Sequence, residues 1–346
     1  MSSEPLEGKW GVLGHQQAVA LLENGLRNYR LSHAYLLVGP KHIGKMTLGV
    51  KLAQALNCDG DLPPCGDCGS CQRIAAGKHA DVHVVSLHSE DTKNKVEVGI
   101  DRVREIQRIA SLKPFEGRYR AVIIDEAERL STEAANCLLK TLEEPPANVV
   151  ILLLTANEAV LLPTVVSRCQ KLELRPIGVG VLEHALAERW SLPPDKARMV
   201  ARLSGGCVGW ALSAIQDEGV LEERARQLAT VVEIGEAGVV ERFAFAARLA
   251  QQFSRSRASV RELLGLWVGL WRDLLLAKAG CMSLIVNLTQ EEFIARSARV
   301  YTLAQIRECI QSLRSALYHL EKNVNPRLVF EMLLLSLPRG VPSDEI

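Results

Sequence analysis

At 346 residues the chain is long enough for two or three domains with cores of their own. Lysine and arginine number 41 against 40 aspartate and glutamate, so no overall basic field exists to hold nucleic acid, and any DNA contact would need a local patch or a partner. The longest strongly apolar stretch, residues 263–271, is broken by Arg272 and Asp273, too early for a membrane span of about 20 residues. The opening MSSEPLEGKW lacks the charged and apolar regions of a signal peptide, so a soluble cytoplasmic protein with no membrane partner is expected. Thiols stay reduced in that compartment, and the crowding of four of the nine cysteines into residues 58–71 suggests a metal rather than disulfides.

In chain order, β-branched or leucine-rich runs recur at 34–38, 82–86, 121–124, 149–155 and 170–174, with helical patterns between them. This alternation predicts an α/β domain over residues 1–175, a parallel sheet with helices on both faces. Pro176 marks a change, and 176–220 reads as a small helical unit with a glycine break at Gly205 and Gly206. From 221 to 338 the spacing is helical throughout. Leu263, Leu264, Leu266, Trp267, Leu270 and Trp271 fall at helical intervals, the mark of a seam buried in a bundle more than of a membrane-surface or ligand-binding face. Residues 339–346 read as a loose tail.

Gly39-Pro40-Lys41-His42-Ile43-Gly44-Lys45-Met46 has the outline of a phosphate-binding P-loop, set between a strand pattern and a helical pattern as that motif requires. Its last position should carry a hydroxyl for magnesium, and Met46 has none. Thr47 follows on the helix but is rotated by about 100°, so it is no simple substitute. The candidate nucleotide set is Gly39, Gly44, Lys45 and Thr47, a site able to hold a nucleotide or descended from one that did, and a poor hydrolase by itself.

Farther along, Val122-Ile123-Ile124-Asp125-Glu126 is an apolar strand ending in two acids. In nucleotide hydrolases the first such acid supports the magnesium shell and the second polarises water. Alone, Asp125 and Glu126 could equally open a solvated loop; the P-loop upstream favours the Walker B reading. Cys58, Cys65, Cys68 and Cys71 form C-x6-C-x2-C-x2-C with Pro63, Pro64, Gly66 and Gly69 supplying turns, a spacing that closes a tetrahedral four-thiolate site typical of structural zinc. A redox pair, or His79 replacing one thiol, is the alternative. Cys137, Cys169, Cys207, Cys281 and Cys309 are scattered and read as small core residues. Arg168, in Ser167-Arg168-Cys169, reads by itself as an ordinary surface arginine.

Taken together the chain resembles the bacterial clamp-loader AAA+ proteins of DNA polymerase III. The likeness rests on Leu31-Ser32-His33-Ala34-Tyr35-Leu36, the P-loop, the four cysteines, Leu138-Leu139-Lys140-Thr141-Leu142-Glu143-Glu144-Pro145-Pro146, Leu154-Thr155, Ser167-Arg168-Cys169 and Asn323-Val324-Asn325-Pro326. The resemblance implies an AAA+ core with a zinc excursion, a helical lid and an all-α collar. It places Thr155 at the sensor 1 position and makes Arg168 an arginine finger acting in trans. It also implies a hetero-pentameric ring with tau/gamma and delta subunits, acting on a sliding clamp and primer-template DNA. His42 in place of glycine, Met46, and Gly209 where the ATPase members carry the sensor 2 arginine imply weak or no ATPase of its own. ATP with Mg2+ is left open by the intact Lys45, Asp125 and Glu126. Two alternatives stand beside this: a tau/gamma-type ATPase tolerant of Met46, and a scaffold whose zinc excursion contacts nucleic acid or a partner.

Overall fold

The computed structural model describes residues 10–85, 98–322 and 324–338. Five strands, β1 (Ala34–Val38), β2 (Val82–Val85), β3 (Arg120–Ile124), β4 (Val149–Thr155) and β5 (Gln170–Glu173), form one parallel sheet in the order β2-β3-β4-β1-β5. The expected runs at 34–38 and 149–155 coincide with β1 and β4. The third strand starts one residue early at Arg120, the fifth ends at Glu173, and Ser86 lies outside the described residues, as do Asn323 and the expected tail at 339–346.

Around the sheet run α1 (Gln16–Arg27), α2 (Lys45–Leu56), α3 (Gly69–Ala75), α4 (Ile100–Ser111), α5 (Thr132–Glu143) and α6 (Pro163–Val166), and α7 (Val179–Trp190) follows β5 in the chain. Because successive side chains of a strand point to opposite faces, the apolar runs feed two cores at once. Tyr35, Leu37, Ile123, Leu152 and Leu154 join Val19, Leu22, Leu48 and Leu52 on one face. Leu36, Val122, Ile124, Ile151 and Leu153 join Val103, Ile106, Leu138 and Leu142 on the other. Local signals fix the helix starts: the Ser131 hydroxyl accepts from the Ala134 N–H at the head of α5.

The remaining helices are α8 (Pro194–Leu203), α9 (Val208–Gln216), α10 (Gly219–Glu236), α11 (Val239–Arg255), α12 (Arg257–Lys278), α13 (Glu291–Val300), α14 (Leu303–Glu321) and α15 (Pro326–Ser336). The chain divides into two units, Met1–Pro194 with Gly206–Ala211, and Asp195–Gly205 with Leu212–Ile346. The second unit has its own apolar core, where the expected seam residues Leu263, Leu264, Trp267, Leu270 and Trp271 are buried and Leu266 partly so. Ring packing adds to it, Phe245 stacking on Trp267 with centroids 6.2 Å apart.

The same unit buries Arg242, 4% exposed, which donates to the carbonyls of Gly235, Ala237, Leu334 and Leu337 at 2.7–3.1 Å and so satisfies C-terminal carbonyls of two helices at once. Asn325 accepts from the Arg327 N–H and Pro326 takes the first helical position, so the Asn325-Pro326 pair starts α15. Among the described residues no helix is long and apolar enough to cross a membrane.

Candidate functional site

The P-loop leaves the C-terminal end of β1, next to β4 on one side and β5 on the other, where the order of the sheet reverses. The Gly39 N–H donates to the Thr155 carbonyl at 3.1 Å, which ties the start of the loop to the end of β4. Gly44 caps α2 in a left-handed conformation, φ 107°. The Lys45 ammonium bends back onto the Gly39 and Pro40 carbonyls, at 2.6 and 2.8 Å. Burial pushes the Lys45 pKa down, against the pull of Glu128 and Asp125. Burial likewise pushes the Asp125 carboxyl up, against the Glu126 N–H that donates to it at 2.9 Å and against Lys45.

Glu126, at φ 50°, is spent on Arg129 at 2.8 Å and has Lys41 at 4.0 Å. Thr155 is fully buried, and its hydroxyl accepts from the Asn157 N–H at 3.1 Å. The sheet thus gathers Gly39, Gly44, Lys45, Asp125, Glu126 and Thr155 along one edge. Thr47 is exposed on α2, while Met46 is half-buried against the core under that helix. The chain has a packing side chain where a magnesium hydroxyl would stand.

Two participants here, Glu128 and His15, escape a motif-based reading, and a third, Gly209, is marked in the sequence only by the arginine it lacks. Glu128 faces Lys45 electrostatically and accepts from the Ala156 N–H at 3.3 Å. His15, its pKa lowered by burial despite its hydrogen bond, meets the Ile43 carbonyl at 3.0 Å. Gly209, at the head of α9, donates its N–H to the His42 carbonyl at 2.8 Å. The only available sequence signal for Gly209 was the missing sensor 2 arginine, and the backbone supplies a reason: a Cβ at 209 would stand 2.7 Å from the His42 oxygen.

The four sulfurs of Cys58, Cys65, Cys68 and Cys71 all lie within 4.8 Å of one another, with Cys65 and Cys71 at 4.0 Å. A tetrahedron with Zn–S bonds of about 2.3 Å has edges of about 3.8 Å, so the cluster fits a four-thiolate metal site. Backbone N–H groups of Gly60 and Cys65 point at the Cys58 sulfur, that of Cys68 at Cys65 and that of Cys71 at Cys68, at 3.3–3.4 Å, the arrangement that favours thiolate. The N–H groups of Asp59 and Cys71 pull the Cys68 thiol down to about 6, while burial pushes the Cys58 thiol up and the Cys71 thiol up to about 12. His79 is occupied elsewhere, with Nδ1 accepting from the Asp81 N–H at 3.1 Å and Nε2 on the Ser70 hydroxyl at 3.2 Å.

Arg168 stands just after α6, its guanidinium on Glu143 at 2.7 Å and on the Thr164 carbonyl at 3.0 Å. Gln170 pairs with Tyr35 and Glu173 with Val38 in parallel register, so Arg168 precedes the start of β5 while the P-loop follows the end of β1. At roughly 3.3 Å per residue the two are separated by about 13 Å of strand or more. The structure therefore does not bring Arg168 to the chain's own P-loop.

A family model described as "DNA polymerase III, delta subunit" matches residues 14–178, and one described as "DNA polymerase III, delta subunit, C terminal" matches residues 244–338. The chain is 28% identical to a DNA polymerase III subunit delta' of Bacillus subtilis, over 94% of this chain and 96% of that one. It is 34% identical to a DNA polymerase III subunit tau of Escherichia coli, over 62% of this chain but only 34% of that one, so it spans about a third of the tau relative. A DNA polymerase III gamma subunit-related protein from Thermotoga maritima aligns over 92% of this chain and 99% of its own at 18% identity, with a TM-score of 0.42, too loose to bear on function.

Proposed function

The chain belongs to the DNA polymerase III delta-subunit family, and on that premise we propose that it acts as the delta-prime subunit of a bacterial clamp loader, helping to place the sliding clamp on primed DNA. The observation that carries this reading is the near end-to-end correspondence with a delta-prime subunit, against a partial overlap with the much longer tau proteins. Its partners are tau/gamma and delta subunits in a hetero-pentameric ring, with the clamp and primer-template DNA engaged by the assembled complex in the cytoplasm. The working parts are an AAA+ region at 1–175 with the zinc module at 58–71, a lid at 176–220, a collar at 221–338 and a tail at 339–346.

Arg168 acts in trans, as an arginine finger on the ATP of a neighbouring tau/gamma subunit. Support comes from its position at the sheet edge opposite the P-loop, where it has no route to a phosphate held by its own chain. A cation set against charge developing on a transferred phosphoryl group accelerates the step by about 10³–10⁵. Glu143, which holds Arg168 here, would release it to the neighbour's site.

At its own P-loop, Lys45 would face nucleotide phosphates, Gly39 and Gly44 would let the backbone approach them, and Asp125 would support the shell of a magnesium ion. Met46 supplies no ligand and Glu126 is committed to Arg129, so useful hydrolysis is not expected. Thr47 and Thr155 complete the degenerate set. The four thiolates would hold a structural Zn2+ with no open position for chemistry.

The test is ATP turnover by the reconstituted clamp loader with this subunit intact and as Arg168→Ala, the isolated subunit serving as control. A silent isolated chain, with a complex slowed by Arg168→Ala but still assembled, is the expected result. A complex unaffected by the substitution would end the finger role. The clustering of Lys45, Asp125 and Thr155 favours one second reading, a tau/gamma-type ATPase. Turnover by the isolated chain that vanishes in Lys45→Ala would establish it.

A further inference from the structure

We propose that the four-cysteine metal site braces the loop at 112–119, fixing the position of the exposed Phe115. The proposal rests on the metal reading above and on contacts made by residues next to the first and last ligands. Asn57 immediately precedes Cys58. Its Oδ1 accepts from the Tyr119 N–H at 2.9 Å, and a Cβ on Gly117 would stand 2.4 Å from that oxygen. Only glycine fits there without displacing Asn57.

Ser70 immediately precedes Cys71, and its hydroxyl meets Nε2 of His79, whose Nδ1 accepts from the Asp81 N–H. Arg73, one turn into the cysteine-capped α3, pairs with Glu116 at 3.1 Å, and Glu116 also accepts from the Ala80 N–H at 3.2 Å. Asp81 then closes the loop: its carboxylate accepts from the N–H groups of Phe115, Glu116 and Gly117 at 2.7–2.8 Å. Arg120 donates to Asp81 and to the Lys113 carbonyl, at 2.8 and 2.9 Å.

The loop therefore hangs from both ends of the cysteine run, and metal binding that orders residues 58–71 also orders 112–119. On that loop Phe115 is 85% exposed and Leu112 56% exposed, so the bracing sets the direction of side chains that have no packing of their own to hold them. Coupling between two sites is reciprocal, so a loop that fits badly must in turn weaken the metal.

The experiment compares the full chain loaded with zinc, stripped with a chelator, and carrying Gly117→Ala or Asn57→Ala. Zinc content is measured first, then zinc affinity by chelator competition and amide hydrogen exchange across 112–119. Stripping is expected to speed exchange at Phe115, Glu116, Gly117 and Tyr119 by at least about tenfold, with α14 unaffected. Gly117→Ala is expected to weaken zinc by about tenfold, the scale of a displaced outer-shell contact. Asn57→Ala, expected to keep bound zinc, should raise exchange in the loop, which covers the case in which stripping unfolds the whole first unit. A chain that binds no zinc defeats the metal reading and this proposal together. Bound zinc with unchanged loop exchange on stripping, or unchanged affinity in Gly117→Ala, overturns the bracing alone.

Discussion

Asp81 and Arg120 show how a single pair organises the sheet's β2 edge. Asp81 is fully buried and Arg120 is 5% exposed. Burial alone would raise the Asp81 pKa. The N–H groups of Phe115, Gly117 and Glu116 and the Arg120 guanidinium outweigh it and hold the carboxyl at about 2, against 3.8 in the absence of such contacts. A depressed folded-state pKa means stabilisation that is present above pH 3.8 and lost as pH falls through 2, on the order of 2 kcal/mol. Acid titration of stability, followed by urea melts between pH 5 and about 2, should show this loss in the wild type and a flatter profile in Asp81→Asn. Asp81→Ala, which strands Arg120, is expected to destabilise the first unit by about 3 kcal/mol or more, because an unpaired buried charge remains.

At the scale of elements, the head of α9 meets the P-loop through a backbone hydrogen bond, the Gly209 N–H on the His42 carbonyl. A methyl at 209 must push one of these segments aside, at a cost of about 1–3 kcal/mol. Gly209→Ala is therefore expected to speed amide exchange across residues 39–45 while leaving α12 unchanged, and equal exchange in both proteins would contradict the contact. This is also where legibility from sequence divides. The inner strands β1, β3 and β4 could be read almost to the residue because they are buried on both faces and so spell apolar runs, as Val149–Thr155 does, whereas the outer strands β2 and β5 are only partly buried. The four cysteines were legible because a short loop must carry all the ligands at fixed spacing. Asp81, Arg120 and Glu128 were not, since each acts on a partner far away in sequence and looks ordinary in its own neighbourhood; Gly209 was marked by the missing sensor 2 arginine, but its contact with His42 was not legible. Glu126 matched its motif, but its pairing with Arg129 could only be seen in three dimensions.

For the molecule as a whole, near-neutral charge limits what one copy does by itself. With 41 basic and 40 acidic side chains, the chain has no net field to draw in a phosphate backbone. Fluorescence anisotropy of labelled primer-template DNA is expected to show no saturable binding by the isolated chain at physiological salt, and tight, salt-sensitive binding would point instead to the scaffold reading. The parallel sheet has a further consequence. The two ends of its strands are chemically unlike, the C-terminal end with the P-loop and the N-terminal end with Arg168. An arginine given by one end and a phosphate site offered by the other would join only head to tail, so such a contact could not be self-complementary in the manner of a two-fold dimer. Copies or relatives joined this way have a direction, like the links of a one-way chain. A member that gave an arginine but used no ATP, the role proposed for this chain, would mark where that sequence of active sites begins.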